Sequence, residues 1–367
     1  MEEDFKNNLF QSYRTASKNL SKFAELESKH WENFNSEVRE IYFDKKLEDL
    51  NLLENFRFDK SLSAGMDDAL DRGIPDAFFH LLKEVEEDVV ISNLDNKNIG
   101  NCNRVLNFKD KYIDYGDLFH IYVFSQLNDS IFSKDKISSI CEIGGGFGAL
   151  ARVIKNNLDV SYIMIDLPET NLVSAYYLYE NFKNENKKFL LYNQIKDNKI
   201  SVEQLHSYDF IIIPPWVVFE KDLKIDLFVN CRSMMEMERK VIRDYFKIIH
   251  GHTNQNGYFL NINRYHKRTV GQAIKLIDYP YDRDWEVLIS QKAIYFDHIH
   301  FLLTQRKEPK EKSIHSVLEG LLEETKKHTP SYFYSELKKL VRKILTFFLP
   351  KSFLKKMKQF FLVIDPE

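Results

Sequence analysis

The chain of 367 residues sets 52 Lys and Arg against 55 Asp and Glu, a formal net charge of −3 at pH 7. With 44% hydrophobic residues it can bury one large core, or a core with a smaller companion, which excludes a disordered chain. The balanced charge gives no global reason to expect nucleic acid, and the three cysteines (Cys102, Cys141, Cys231) form no CxxC pair, so free thiols in a reducing compartment are expected rather than disulfides or zinc.

The opening "MEEDFKNNLF" is acidic where a signal peptide would be basic, and no apolar stretch approaches the length of a membrane span. A cytoplasmic protein is the expectation. Residues 1–111 are charged, rich in aromatics and helical in pattern, with turn signals at "SAGMDD", "DRGIPD" and "NKNIGNCN". Trp31 and its aromatic neighbours there serve either a helix core or a lid that stacks on a ligand. "DYGDLFHIYVFSQL" predicts a helix.

From Ile137 onward, short apolar runs alternate with amphipathic helices, the pattern of β/α units on a mostly parallel sheet. Strands are predicted at "ISSICEIG", "VSYIMID", "YDFIII", "IDLFVN" and "GYFLNIN". "WEVLIS" and "HIHFLLT" would close the sheet as a hairpin. The small run "KFLLYN" has no assigned place in the order. One helix puts Leu150, Val153 and Ile154 on a face; another carries Met237, Val241, Tyr245 and Ile249 and should end near Gly251.

Four glycines crowd into "ICEIGGGFGALARVI", directly behind the first strand. Such a loop turns backbone N–H groups and a helix N-terminus toward a ligand, and glycine permits close approach. Gly144, Gly146 and Ala149 satisfy the dinucleotide pattern G-x-G-x-x-G/A. Glu142, Gly144, Gly146 and Gly148 also spell E-x-G-x-G-x-G, which suits S-adenosylmethionine with its ammonium and sulfonium charges. Asp166, ending the second strand, can accept ribose hydroxyls from either ligand. Glu142 discriminates, because a carboxylate beside a pyrophosphate is repulsive.

"CEIGGGFGALARVI" followed by "IMIDLPE" resembles motif I and the second-strand acid of class I S-adenosylmethionine-dependent methyltransferases. With "YDFIIIPPW", "DLFVNCRSMMEM" and "GYFLNINR", the chain is similar to the bacterial sugar O-methyltransferase family. The resemblance implies a Rossmann-like class I methyltransferase fold: an α/β domain over 112–308 with a mostly parallel seven-stranded sheet and flanking helices. It implies methyl transfer to a hydroxyl of a sugar in a bacterial surface glycan or its precursor. The expected cofactor set is Glu142, Gly144, Gly145, Gly146, Gly148, Asp166 and Leu167, with Pro214 and Asn230 at the ends of later strands. A non-sugar metabolite as acceptor, a nicotinamide-dependent oxidoreductase and a silent binding module are the competing readings.

A sugar hydroxyl must be held in line and lose its proton during attack. Glu236, beyond "IDLFVN", is the first candidate base; His266, expected exposed on a loop past "NIN", is the second. Arg264 and Trp216 are candidate substrate residues, Trp216 being equally suited to the core or to a place beside the adenine. In "DHIH", His298 and His300 share a strand face, but no third ligand is evident, so no metal is expected.

The segment 309–367 ends in a basic amphipathic tail, with eight Lys or Arg between Leu337 and Ile364 and a break at Pro350. Peripheral contact with the inner face of the cytoplasmic membrane through 331–364 fits that pattern, and would suit a lipid-linked acceptor. An oligomerisation or domain-packing helix, as in a homo-oligomer, fits it too.

Overall fold

Apolar runs long enough to be buried on both faces form the centre of the molecule. They are β1 (Ser139–Ile143), β2 (Ser161–Ile165), β3 (Phe189–Leu191), β4 (Phe210–Ile213), β5 (Ile225–Cys231), β6 (Thr253–Arg264), β7 (Trp285–Ala293) and β8 (Phe296–Arg306). The structure is a computed structural model and describes residues 2–39, 50–58, 73–103, 105–268 and 270–329. The expected turn at "SAGMDD" and the expected amphipathic tail from 331 onward lie outside the described residues.

The strands lie side by side in the order β7-β8-β6-β5-β1-β2-β4-β3. All neighbours run parallel except β8, which is antiparallel to both β6 and β7. The fold is therefore Rossmann-like α/β, with eight strands rather than seven. "KFLLYN" supplies the additional one, β3, at the edge beside β4. "WEVLIS" and "HIHFLLT" form the hairpin, which turns at Tyr295 with φ 71°.

Helices fill both faces. They include α1 (Glu3–Leu20), α2 (Lys29–Val38), α3 (Tyr115–Leu127), α4 (Ala149–Asn157), α5 (Pro168–Phe182) and α6 (Arg239–His252). The two-residue period of a strand sorts the core into two layers. Ile140, Tyr162, Met164, Leu227 and Val229 face α3, α4, α5 and the N-terminal helices. Cys141, Ile143, Ile163, Ile165 and Phe228 face α6 and the hairpin side. The α6 helix buries Val241, Tyr245 and Ile249 as its spacing predicts, but passes through Gly251 to His252 before entering β6. The turn follows one step later, where Asn256 takes φ 65° and the β5–β6 register shifts.

α1 buries Leu9, Phe10, Tyr13, Ala16 and Leu20, at the three- and four-residue steps of one helical face. It lies on α5: Phe5 stacks on Tyr179 with ring centroids 3.9 Å apart, and the Tyr179 hydroxyl accepts a bond from the Glu2 amide. Leu9, Phe10 and Tyr13 thereby join the same core layer as Ile140 and Met164. A second clasp is ionic. Arg57 pairs with Asp114 at 2.6 Å, and Arg152 of α4 pairs with Asp117 at 3.0 Å. Asp114 also caps α3, accepting from the Asp117 amide. Arg57 holds the Asp114 carboxyl down at about 2, although burial opposes it, while burial pushes Asp117 up to about 8. Asp95 lies beside Arg57 as a third acid of the group, 3.9 Å from its Nη1.

Candidate functional site

From β1 the chain steps to β2 and on outward to β3 and β4, then returns to place β5 on the opposite side of β1, so the strand order reverses beside β1. In open α/β sheets the crevice at such a switch point, outside the carboxyl ends of the strands, is where ligands bind. The glycine loop sits there.

Its shape is fixed from both sides. Gly144 takes φ 74°, and its amide donates to the Ile165 carbonyl at 2.8 Å. A Cβ on Gly144 would lie 2.0 Å from Ser233 Oγ, so the β5 side of the site closes directly on the loop. Ser233 Oγ and Asn230 Nδ2 both donate to the Ile143 carbonyl, at 2.9 and 2.8 Å. Gly146 differs. It has φ 56° and open space where its Cβ would be, so the loop presents bare backbone at this point.

Both acids predicted from the sequence touch the loop. Asp166 Oδ2 accepts from the Gly146 amide at 3.0 Å and its Oδ1 from the Leu167 amide at 2.7 Å. Burial pushes Asp166 up to about 6 even though these amides and Thr170 favour its charged form. Glu142 projects into the helix-covered layer and is only 2% exposed. Its Oε2 accepts from the Tyr162 hydroxyl at 2.9 Å and lies 3.1 Å from where a Gly145 Cβ would be. Burial pushes Glu142 up to about 7 against the Tyr162 bond, with the Asp166 charge adding to the rise. The loop thus rests between two carboxyl groups that ionise reluctantly.

Beside Asp166, a crevice is lined by Leu9, Tyr13, Asn171, Leu172, Tyr192 and Pro214, among others. Asn171 Nδ2 donates to the Asp166 carbonyl, leaving a buried Oδ1 with no hydrogen-bond partner among the described residues. α1 forms one wall, and its position is held by a contact that sequence spacing does not reveal. Arg39 grips Glu169 of α5 through both Nε and Nη2, the latter at 3.0 Å, and Tyr13 donates to the same carboxylate. Glu169 belongs to the "DLPE" run, so the N-terminal helices are pinned next to the second acid.

Several predicted residues sit elsewhere. Trp216 is buried: it stacks on Phe23 at 5.1 Å and donates from Nε1 to the Tyr192 hydroxyl, which makes it core rather than a substrate contact. Asn230 is wholly buried and braces the loop and the Met234 amide from behind. His266 is not on an exposed loop but buried in a short ladder opposite Lys275. His300 is held between the Tyr265 and Ser290 hydroxyls, and His298 lies amid Arg264, Arg232 and Lys267, neighbours that would repel a metal cation. Trp31 lies on α2, edge-on to His30.

Glu236 occupies a short turn, Met234–Glu236, at the carboxyl edge of the sheet. Lys267 donates to it at 2.6 Å. His30 of α2 lies close enough to feel both charges; burial lowers its pKa, Glu236 opposing and Lys267 adding. Lys267 was missed in the sequence although it follows His266 directly. Arg232 was missed as well, two residues past Asn230.

No family model matches the sequence, and no curated protein matches it. Among solved structures the chain is similar to the mitomycin 7-O-methyltransferase MmcR, with 13% identity and a TM-score of 0.32 over 63% of this chain and 67% of that one. It is similar to an O-methyltransferase family 2 protein from Planctomyces limnophilus solved with apigenin, with 12% identity and a TM-score of 0.30 over 45% and 50% of the two chains. The pyocyanin biosynthetic protein PhzM shows 10% identity and a TM-score of 0.30 over 53% and 58%. At such values, what defines this fold is its own strand order and loop geometry.

Proposed function

We propose that the chain is an S-adenosylmethionine-dependent O-methyltransferase whose acceptor is a sugar hydroxyl. The observation that carries this reading is the glycine loop at the switch point of the sheet, with the open, left-handed Gly146 held by Asp166 and the buried Glu142 beneath Gly145. The residues present fit the donor. Asp166 keeps lone pairs for ribose hydroxyls, the Asn171 Oδ1, without a hydrogen-bond partner among the described residues, offers an acceptor beside it, and Glu142 offers negative charge. A carboxyl group with a pKa near 7 is suited to a cation, since an arriving positive charge draws it into its ionised form.

Bound S-adenosylmethionine supplies an electrophilic methyl carbon, whose transfer to a hydroxyl oxygen leaves a neutral thioether and one proton to remove. In this reading Glu236 removes the proton, and Lys267 fixes the orientation of its carboxylate. α1 and α2 cover the site and keep water from it. The sugar as acceptor rests on the resemblance of "YDFIIIPPW", "DLFVNCRSMMEM" and "GYFLNINR" to the sugar O-methyltransferase family.

Calorimetric titration with S-adenosylmethionine, S-adenosylhomocysteine and NAD tests the proposal. Binding of the first two and not the third is expected. Binding of NAD alone, or of none of them by folded protein, would overturn it.

A further inference from the structure

The edge of the sheet beyond the glycine loop carries an excess of positive charge. Arg232 follows β5, Arg264 ends β6 and Lys267 follows shortly after. The strand pairing brings them together: the Arg232 amide donates to the Ile262 carbonyl, and Arg264 sits opposite Ile299, next to His298. His298 feels the charges of Arg264, Arg232 and Lys267, and Lys267 feels both arginines. Among the described residues, Glu236 lies in this group and is already engaged by Lys267 at 2.6 Å, and Asp297 nearby is exposed. His298 and His120 contribute no charge, since burial drives both down to about 3.

Arg232 is the most telling member. It is a non-glycine residue at φ 67°, a left-handed conformation that L side chains rarely adopt. Among the described residues it makes no ion pair; it lies over the Phe296 ring at 5.2 Å, with its Nε buried and lacking a hydrogen-bond partner. A half-buried guanidinium held in a strained backbone, with Glu236 near it already engaged by Lys267 and its buried Nε unpaired, is unfavourable in the isolated protein. It becomes favourable when an anion supplies the missing bonds, and the guanidinium fork matches carboxylate and phosphate oxygens.

We propose that the acceptor is anionic, with a carboxylate or phosphate on or beside the sugar seated by Arg232, Arg264 and Lys267 at the carboxyl ends of β5 and β6. This deepens the methyltransferase reading and rests on it. The anion would anchor the acceptor across from the loop, leaving a neighbouring hydroxyl near Glu236.

The test titrates protein loaded with S-adenosylhomocysteine with glucuronate, glucose 6-phosphate and methyl glucoside. At least one of the two anions should bind roughly tenfold or more tightly than the neutral glucoside. The preference between carboxylate and phosphate identifies the group. That binding should weaken as salt rises from about 50 to about 500 mM. The Arg232→Gln/Arg264→Gln double variant should reduce the anions to the level of the glucoside while its affinity for S-adenosylhomocysteine stays unchanged. Equal binding of glucoside and anions, or no anion binding with S-adenosylhomocysteine in place, would overturn the proposal. So would a folded double variant that loses S-adenosylhomocysteine, since the arginines would then serve the donor. Failure of the unmodified protein to bind S-adenosylhomocysteine at all would instead overturn the donor reading.

Discussion

The two halves of the sheet's carboxyl edge carry opposite charge. On the β1–β2 half, Glu142 and Asp166 flank a glycine loop, and burial raises the pKa of both. On the β5–β6 half, Arg232, Arg264 and Lys267 gather near Glu236 among the described residues. Each half is unfavourable in isolation, and each would be relieved by a ligand of the opposite sign. In the proposed reading, this charge assignment along one edge separates a cationic donor from an anionic acceptor without a domain boundary between them.

The sharpest way to break the comparison is to neutralise Glu236 in the basic half. If Glu236 is the proton acceptor, Glu236→Gln should lower kcat by a factor on the order of 10²–10⁴ and leave donor binding intact. A variant that keeps full kcat would return Glu236 to a structural partner of Lys267.

The loop allows a paired test. Gly144→Ala places a Cβ 2.0 Å from Ser233 Oγ at positive φ, so stability should fall by about 3 kcal/mol and donor binding should vanish. Gly146→Ala meets no neighbour within 4 Å and carries the left-handed strain alone, about 1–2 kcal/mol. It should fold and still bind donor poorly, because the open face is then occupied. Urea denaturation and calorimetry on both variants read the difference, and equal donor affinity in Gly146→Ala and the native chain would contradict the open-face argument.

The acidic half should also respond to pH. Glu142 has a pKa near 7 in the fold against 4.5 when unfolded, so the native state holds the extra proton between those values. Its contribution to stability is therefore lost as pH rises from about 4.5 through 7, on the order of 3 kcal/mol in all. Asp117 and Asp166, also raised, act in the same direction. Glu142→Gln should flatten its share of the decline in denaturation curves taken between about pH 5 and pH 8. Donor affinity in the native chain should rise with pH through about 7, and in the variant it should not. A variant as pH-dependent as the native chain would remove Glu142 from the account.

Much of this was legible in the sequence because it is local. Apolar runs fixed the strands, and the glycines and two acids marked the loop. What was not legible depends on contacts between distant segments. The edge position of Phe189–Leu191 depends on pairing with Phe210–Ile213. The Arg39–Glu169 clamp spans 130 residues. His266 reads as an exposed loop residue until the ladder with Lys275 buries it, and Trp216 reads equally as core or ligand contact until Phe23 is seen stacked on it. The cationic cluster was hidden for the same reason, since Arg232, Arg264 and His298 meet only through the order of β5, β6 and β8.

Hydrogen exchange with and without S-adenosylhomocysteine tests the central claim most directly, because it locates the ligand as well as detecting it. Amides of residues 143–148 and 166–171 should slow together on binding, with the β7–β8 hairpin turn unchanged. Slowing confined to other segments, or none in these two, would contradict a donor site on the glycine loop.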